Sequence, residues 1–406
     1  MPNIFADRGN GDIFANRDAL NDEYVPNEIV GREAEKDAYA DALLPVYHGE
    51  TPNNVFLYGL NGVGKTVLTH WILDQLVSAD GLTTSVTPVY INCEQLNTSY
   101  QLTIAVTNHL VDTPDNRLPK TGLPASEVYE RFFHELERQG GIVLMALDEI
   151  DAISEVETFL YSVSRARSNR DLQETKLGII GISTDTSFTA NLPADVRSTL
   201  REQVIEFPPY DGIQLIDVLE QRVETAFHPD VVTEGAIQLA AALGANNQGD
   251  ARFALDLLRD AGDLARKTDD STVTDDLVEQ AREEYETDRP ASVLSDLPLN
   301  IQLVMYAIVT LTAESADEIT SNDIYERYTA LTAPVSFEPV SARRAHDYYS
   351  QLHNLTLITA TERSGSHGRY MVYSLALELE TAVDALDECI DIVGIHPTIQ
   401  SMVDFD

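Results

Sequence analysis

The stretch Gly59-Leu60-Asn61-Gly62-Val63-Gly64-Lys65-Thr66 decides the fold class of this 406-residue chain. It fits G-x-x-x-x-G-K-[ST], a loop whose glycines let successive backbone N–H groups curl around phosphate oxygens. The apolar run at 54–58 predicts a short buried strand before it, and 66–77 predicts a helix after it. That helix would aim its positive N-terminus at the same phosphates. Gly59, Asn61, Gly62, Val63 and Gly64 then form the cradle, Lys65 reaches the β- and γ-phosphates, and Thr66 offers a hydroxyl to Mg²⁺. ATP or ADP with Mg²⁺ is the expected cofactor set.

Outward from the loop, strand-like runs at 86–92, 142–147 and 177–183 alternate with helical patterns at 99–111 and 125–138. Such alternation predicts a parallel α/β sheet. The run 142–147 ends at Asp148 and Glu149. An Asp there can hold the Mg²⁺ shell, and the adjacent Glu can polarise an attacking water. The plain alternative is that acids mark where a buried strand reaches solvent.

After Phe207-Pro208-Pro209-Tyr210 the pattern becomes wholly helical, at 212–227, 233–243, 249–267 and 274–287. Residues 288–298 carry two prolines and read as a linker. Three more helices (299–312, 321–331, 340–355) and two strands (357–362, 370–375) follow, the order of a winged-helix domain. The expected domains are 1–210, 211–290 and 291–406.

Charge is unusual: 67 acidic against 27 basic residues, a formal net charge of −40. Such a field repels nucleic acid in dilute salt. In molar salt the Debye length shrinks to roughly 3 Å and the repulsion is screened. The acid is spread along the whole chain, which favours a salt-adapted surface. Residues 1–24 show no apolar signal-peptide core, and no run is long enough for a membrane span, so a soluble, cytoplasmic protein is expected. Cys93 and Cys389 lack metal-ligand spacing.

The residues resemble the AAA+ superfamily. More narrowly they resemble the archaeal replication-initiator family, homologous to the eukaryotic origin recognition complex and its helicase-loading partner. The resemblance rests on Asp148-Glu149-Ile150-Asp151, Gly178–Ser183, Phe207–Tyr210 with 215–227, and above all 249–258 (GDARFALDLL). It implies a P-loop AAA+ domain, an all-α lid and a C-terminal winged helix. It also implies binding of double-stranded DNA at replication origins, an ATP/ADP switch, self-association on DNA and recruitment of the replicative helicase. Arg252 takes the lid position beside the phosphates, although an ordinary exposed helix arginine is the alternative. The segment 25–32 (VPNEIVGR) matches the adenine side, with Ile29, Val30 and Tyr210 near the base.

Two positions depart from the family pattern. Thr184 stands where an asparagine is usual, and Asp195 stands about where the arginine finger would be, with Arg197 two residues on. Thr184 can still hydrogen-bond water or phosphate, with a shorter reach and no amide donor. Acid at the finger position implies weak trans-activated hydrolysis, and so a slow switch rather than a turnover enzyme.

For DNA, the third winged helix would present Arg343, Arg344, His346, Ser350 and Gln351 outward, with Ser341, Ala345, Tyr348, Leu352 and Leu355 inward. The wing carries Arg363, Ser364, Ser366, His367 and Arg369. Use of this domain for protein contacts is the alternative. Residues 115–123 (DNRLPKTGL) resemble the family's DNA-touching insertion, with Arg117 and Lys120 as its cations, or form a solvated loop.

Overall fold

The structure is a computed structural model that describes residues 12–200, 202–268, 270–314, 318–332, 339–365 and 368–389. It divides into two compact units, 1–279 and 280–406.

In the first unit a 3-10 turn (Arg17–Leu20) precedes α1 (Glu33–Tyr47), β1 (Val55–Gly59), α2 (Lys65–Ser78) and β2 (Val86–Asn92). Then come α3 (Ser99–Leu110), α4 (Ala125–Gln139), β3 (Ile142–Asp148), α5 (Val156–Asn169) and β4 (Lys176–Ser183). The short α6 (Phe188–Asn191) and α7 (Ala194–Leu200) lead to β5 (Gln203–Phe207). All strands are parallel, in the order β2-β3-β4-β1-β5. β3 is buried at every residue, as an all-apolar run flanked by strands and covered on both faces must be. Strand alternation sorts the core into two layers. Val55 and Leu57 pack with Tyr39 and Leu43 of α1 and Leu68 and Ile72 of α2. Phe56 and Tyr58 face the other way, toward Leu102 of α3, Phe132 of α4 and Phe159 of α5.

The helices α8 (Gly212–Ala226), α9 (Glu234–Asn246), α10 (Ala251–Thr268) and α11 (Asp275–Asp296) follow without a strand. α8 starts where it does because Asp211 and Gln214 form a reciprocal capping box. The expected linker at 288–298 is corrected here: α11 runs through it to Asp296. Helix-favouring residues lead into that stretch, and fully buried Leu294 anchors its end in the second core.

The second unit centres on α12 (Leu299–Ala313), buried at every residue from Ile301 to Thr310. Around it lie β6 (Ile319–Thr320), α13 (Ser321–Thr332), α14 (Ala342–Asn354), the hairpin β7 (Ile358–Gly365) and β8 (Gly368–Leu375), and α15 (Leu379–Cys389). The antiparallel sheet has the order β6-β8-β7. Within α14 the buried residues are Ala345, Tyr349 and Leu352. This corrects the expected inward face: Ser341 is the N-cap, accepting the Arg344 N–H, and Tyr348 is only half-buried. No helix among the described residues is long and apolar enough to cross a membrane.

Candidate nucleotide site and nucleic-acid interface

The P-loop emerges from β1, which lies between β4 and the edge strand β5, and closes at the first turn of α2. Gly62 and Gly64 have φ of 71° and 89°, in the region that side chains with a Cβ disfavour. A Cβ on Gly62 would strike the Asp250 carboxylate, and one on Gly64 would lie 2.8 Å from the Tyr210 hydroxyl. Both positions are therefore restricted to glycine by backbone and by space. The Ala251 N–H donates to the Gly62 carbonyl at 3.1 Å, so the first residue of α10 is hydrogen-bonded to the loop itself.

A cavity of about 840 Å³ opens beside the loop. Its wall brings together Ile29, Val30, Asn61, Gly62, Val63, Gly64, Lys65, Thr66, Asp148, Glu149, Thr184, Tyr210 and Arg252. Gly59 is not on that wall; its carbonyl, with that of Leu60, accepts from Lys65 Nζ, each at 2.7 Å. Burial pushes the Lys65 ammonium down to about 8, against the pull of Asp148. Thr66 Oγ1 donates to Asp148 Oδ2 at 2.6 Å, and the Glu149 N–H donates to Asp148 Oδ1 at 3.0 Å. Burial raises the Glu149 carboxyl above its ordinary range, helped by Glu94, Asp148 and Asp151. Thr184 is exposed just past β4. Arg252 reaches the cavity with its guanidinium on Asp22, Nε to Oδ2 at 2.7 Å.

Sequence reading missed several of the groups that build this site. Tyr90 donates to Asp148 Oδ2 at 2.5 Å; the parallel register that pairs Asn92 with Asp148 brings it there, and no local pattern announces that register. Burial and the Asp148 carboxylate push its phenol pKa far up. Arg32 is 1% exposed. Its Nε donates to the Val63 carbonyl at 3.1 Å and its Nη2 to the Pro208 carbonyl at 2.6 Å. Its guanidinium lies 3.7 Å from the centre of the Tyr210 ring. One buried cation thus ties the P-loop to the Pro208–Tyr210 junction where α8 begins. Asp22, Glu23 and Glu94 also line the cavity.

In the second unit Arg343 and Arg344 are exposed on α14, and among the described residues neither guanidinium has a carboxylate partner. Arg363 differs: its Nη1 donates to Glu318 Oε1 at 2.7 Å, and the Tyr370 hydroxyl donates to Oε2 of the same carboxylate at 3.1 Å. The expected outward wing cation is thus held by an acid of the same unit. Arg369 is exposed on β8, and His367 lies outside the described residues. In the first unit the Asn108 side chain clamps Leu118 through its N–H (2.6 Å) and carbonyl (2.9 Å). That fixes the loop 115–123 with Arg117 and Lys120 exposed on either side of buried Leu118.

Three family profiles match the chain in order: an AAA domain over 48–185, a Cdc6 AAA+ ATPase-type lid domain over 216–283, and a CDC6 C terminal winged helix domain over 292–385. The chain is 41% identical over 397 residues to ORC1-type DNA replication protein 11 of Haloarcula marismortui, covering 97% of this chain and 95% of the relative. The chain belongs to the ORC1-type DNA replication protein family. Another member, ORC1-type DNA replication protein 10 of Halobacterium salinarum, is 41% identical over 397 residues, 96% of this chain and 95% of its own length. Both organisms are halophilic archaea. Among solved structures, the Aeropyrum pernix ORC1 protein in complex with DNA superposes with a TM-score of 0.81 at 37% identity, covering 93% of this chain and 97% of that one. The three-part fold read from the sequence is the fold of this ORC1-type family.

Proposed function

We propose that this ORC1-type chain is an ATP-binding replication initiator that docks on origin double-stranded DNA through its winged helix and acts as a slow ATP/ADP switch. The observation that carries it is the convergence of Lys65, Thr66, Asp148 and Arg252 on one cavity, in a chain whose α14 presents an exposed arginine pair with no carboxylate partner among the described residues. The relative from Aeropyrum pernix was solved with DNA, which supports the same use here. Family membership alone supports the further steps of self-association on DNA and helicase recruitment.

In this reading the P-loop amides and Lys65 hold the phosphates, while Ile29, Val30 and Tyr210 flank the base. The Thr66 hydroxyl and Asp148 carboxylate are adjacent hard oxygen donors at the cavity edge, the donor set that Mg²⁺ takes when phosphates and water complete its shell. Bound there, the ion would neutralise phosphate charge. Glu149 orients the attacking water. With Arg343 and Arg344 on the exposed face of α14, these side chains are the base readers, whereas Arg369, Arg117 and Lys120 meet phosphate. Arg363 and His367 complete the wing once DNA phosphate displaces Glu318 from Arg363.

The burial of Lys65 gives a pH dependence. Phosphate binds the ammonium form, whose free-site pKa is depressed to about 8. Affinity is therefore level well below that value and falls as pH rises through it, by up to about tenfold per pH unit until the higher pKa of the complex is reached. Calorimetry of ATP binding between about pH 7 and 9.5 checks this.

A second reading, a regulatory DNA-binding paralogue that keeps nucleotide as a structural element, is favoured by exposed Asp195 and Thr184. An arginine finger is worth roughly 10³–10⁵ in kcat, and an acid in its place withholds that. Wild-type turnover is expected to be slow and nearly independent of protein concentration. Asp195→Arg should raise it in a concentration-dependent way. Steady-state ATPase assays decide: turnover unmoved by Asp195→Arg at any concentration leaves the paralogue reading standing.

A further inference from the structure

We propose that Asp22 is a competing counter-ion for the lid arginine: it holds Arg252 off the phosphates and so sets how tightly the cavity takes nucleotide. The proposal rests on the nucleotide reading above and concerns regulation of that same site.

Residues 12–24 form a strap along the lid helices. Phe14 stacks on Phe227 with ring centres 4.7 Å apart, and the Ala15 and Asn16 N–H groups both donate to the Ala226 carbonyl. Arg17 pairs with Asp263 of α10 at 2.5 Å, and Leu20 is fully buried. Arg222 donates to the Ala19 carbonyl at 3.1 Å and lies 4.8 Å from the Tyr24 ring. Asp22 sits between these anchors, at the cavity mouth, facing Arg252. Among the described residues its side chain has no other hydrogen-bond or ion-pair partner, so it caps no helix and holds no turn. Of the two arginines on the cavity wall, Arg222 feels its charge without contact, whereas Arg252 is in ion-pair contact with it.

That cation is one the phosphates can recruit. Arg222, the other arginine on the cavity wall, is 6% exposed and committed to Ala19 and Tyr24. Arg252 is half-exposed and is the second residue of α10, whose first residue, Ala251, is bonded to the P-loop. A phosphate group offers several charged acceptors to a guanidinium and outcompetes one carboxylate. Breaking an exposed ion pair of this kind still costs a few-fold in the equilibrium constant. Nucleotide binding therefore includes an exchange, in which Arg252 leaves Asp22 and moves to phosphate.

The test is calorimetry of ATP and ADP binding by wild type, Asp22→Asn, Arg252→Ala and the double variant. Working in about 2 M potassium chloride screens the general acid repulsion beyond roughly 2 Å and isolates the contact pair. Asp22→Asn should tighten binding about three- to fivefold in the wild-type background, and by under about 1.5-fold on Arg252→Ala. An unchanged or weaker Asp22→Asn, or the same gain in both backgrounds, overturns the proposal. Lys65→Ala serves as the reference. If it weakens binding while Asp22→Asn gains nothing, this proposal alone fails. If Lys65→Ala leaves binding intact, or the folded wild type binds no nucleotide, the nucleotide reading fails and takes this proposal with it.

Discussion

Replacing Lys65 by alanine will cost the chain its tight nucleotide binding, by about 30-fold to several thousand-fold. Removing one partner of a buried charge pair typically costs about 2–5 kcal/mol, and Lys65 is a buried P-loop cation on the cavity wall. Its ammonium is held by the Gly59 and Leu60 carbonyls at the base of the cradle, so the charge is already in position when phosphate arrives. The loop itself should survive the change. Its shape is fixed by Gly62 and Gly64, by the Arg32 bond to Val63 and by the Ala251 bond to Gly62, none of which needs the lysine side chain. Calorimetry reads the loss, and an unchanged thermal melt without nucleotide shows that the fold is not its cause. ATP affinity within a factor of two of wild type would remove the cavity's assigned role.

The second large effect is expected on DNA. Arg343→Ala with Arg344→Ala should weaken a specific duplex by about 1–3 kcal/mol for each arginine that reads a base, and relax the sequence preference. Arg327 and Arg363 of the same unit lie on Glu314 and Glu318, whereas these two arginines have no carboxylate partner among the described residues. The substitution is safe for the fold, because α14 packs through Ala345, Tyr349 and Leu352 and is capped by Ser341. Arg369→Ala, on the wing, should weaken all sequences alike. Fluorescence titration of specific and scrambled duplexes separates the two patterns.

Much of this was legible before any coordinates. The phosphate loop has a local signature, and β3 announces itself because a strand buried on both faces must be continuously apolar. β5 was not legible: it is an edge strand whose Gln203, Val204 and Glu206 are exposed, so neither an apolar run nor a clean alternation marks it. The break expected at 288–298 came from reading two prolines as punctuation, while the burial of Leu294 in the second core holds the helix to Asp296. On α14 the expected inward set was displaced because the cap was counted as part of the buried face; Tyr349, one residue on, is the aromatic in the core.

Within the site, the residues of the motif were legible and those that hold it were not. A fully buried arginine such as Arg32 runs against the usual exposure of that residue type. Its role follows only from the approach of Val63, Pro208 and Tyr210 in space. Asp22 and Tyr90 are hidden for the same reason, since each acts on a residue far away in sequence. The −40 charge, by contrast, is legible from composition alone as the mark of a salt-adapted surface. Relatives at 41% identity come from halophilic archaea.

The most direct test of the central claim is footprinting of the nucleotide-bound protein on its host's genomic DNA in molar potassium chloride, wild type beside the Arg343→Ala, Arg344→Ala variant. The account predicts discrete protected sites for the wild type and their loss in the variant. Identical protection by both proteins, or no protection by either while ATP is bound, would contradict it.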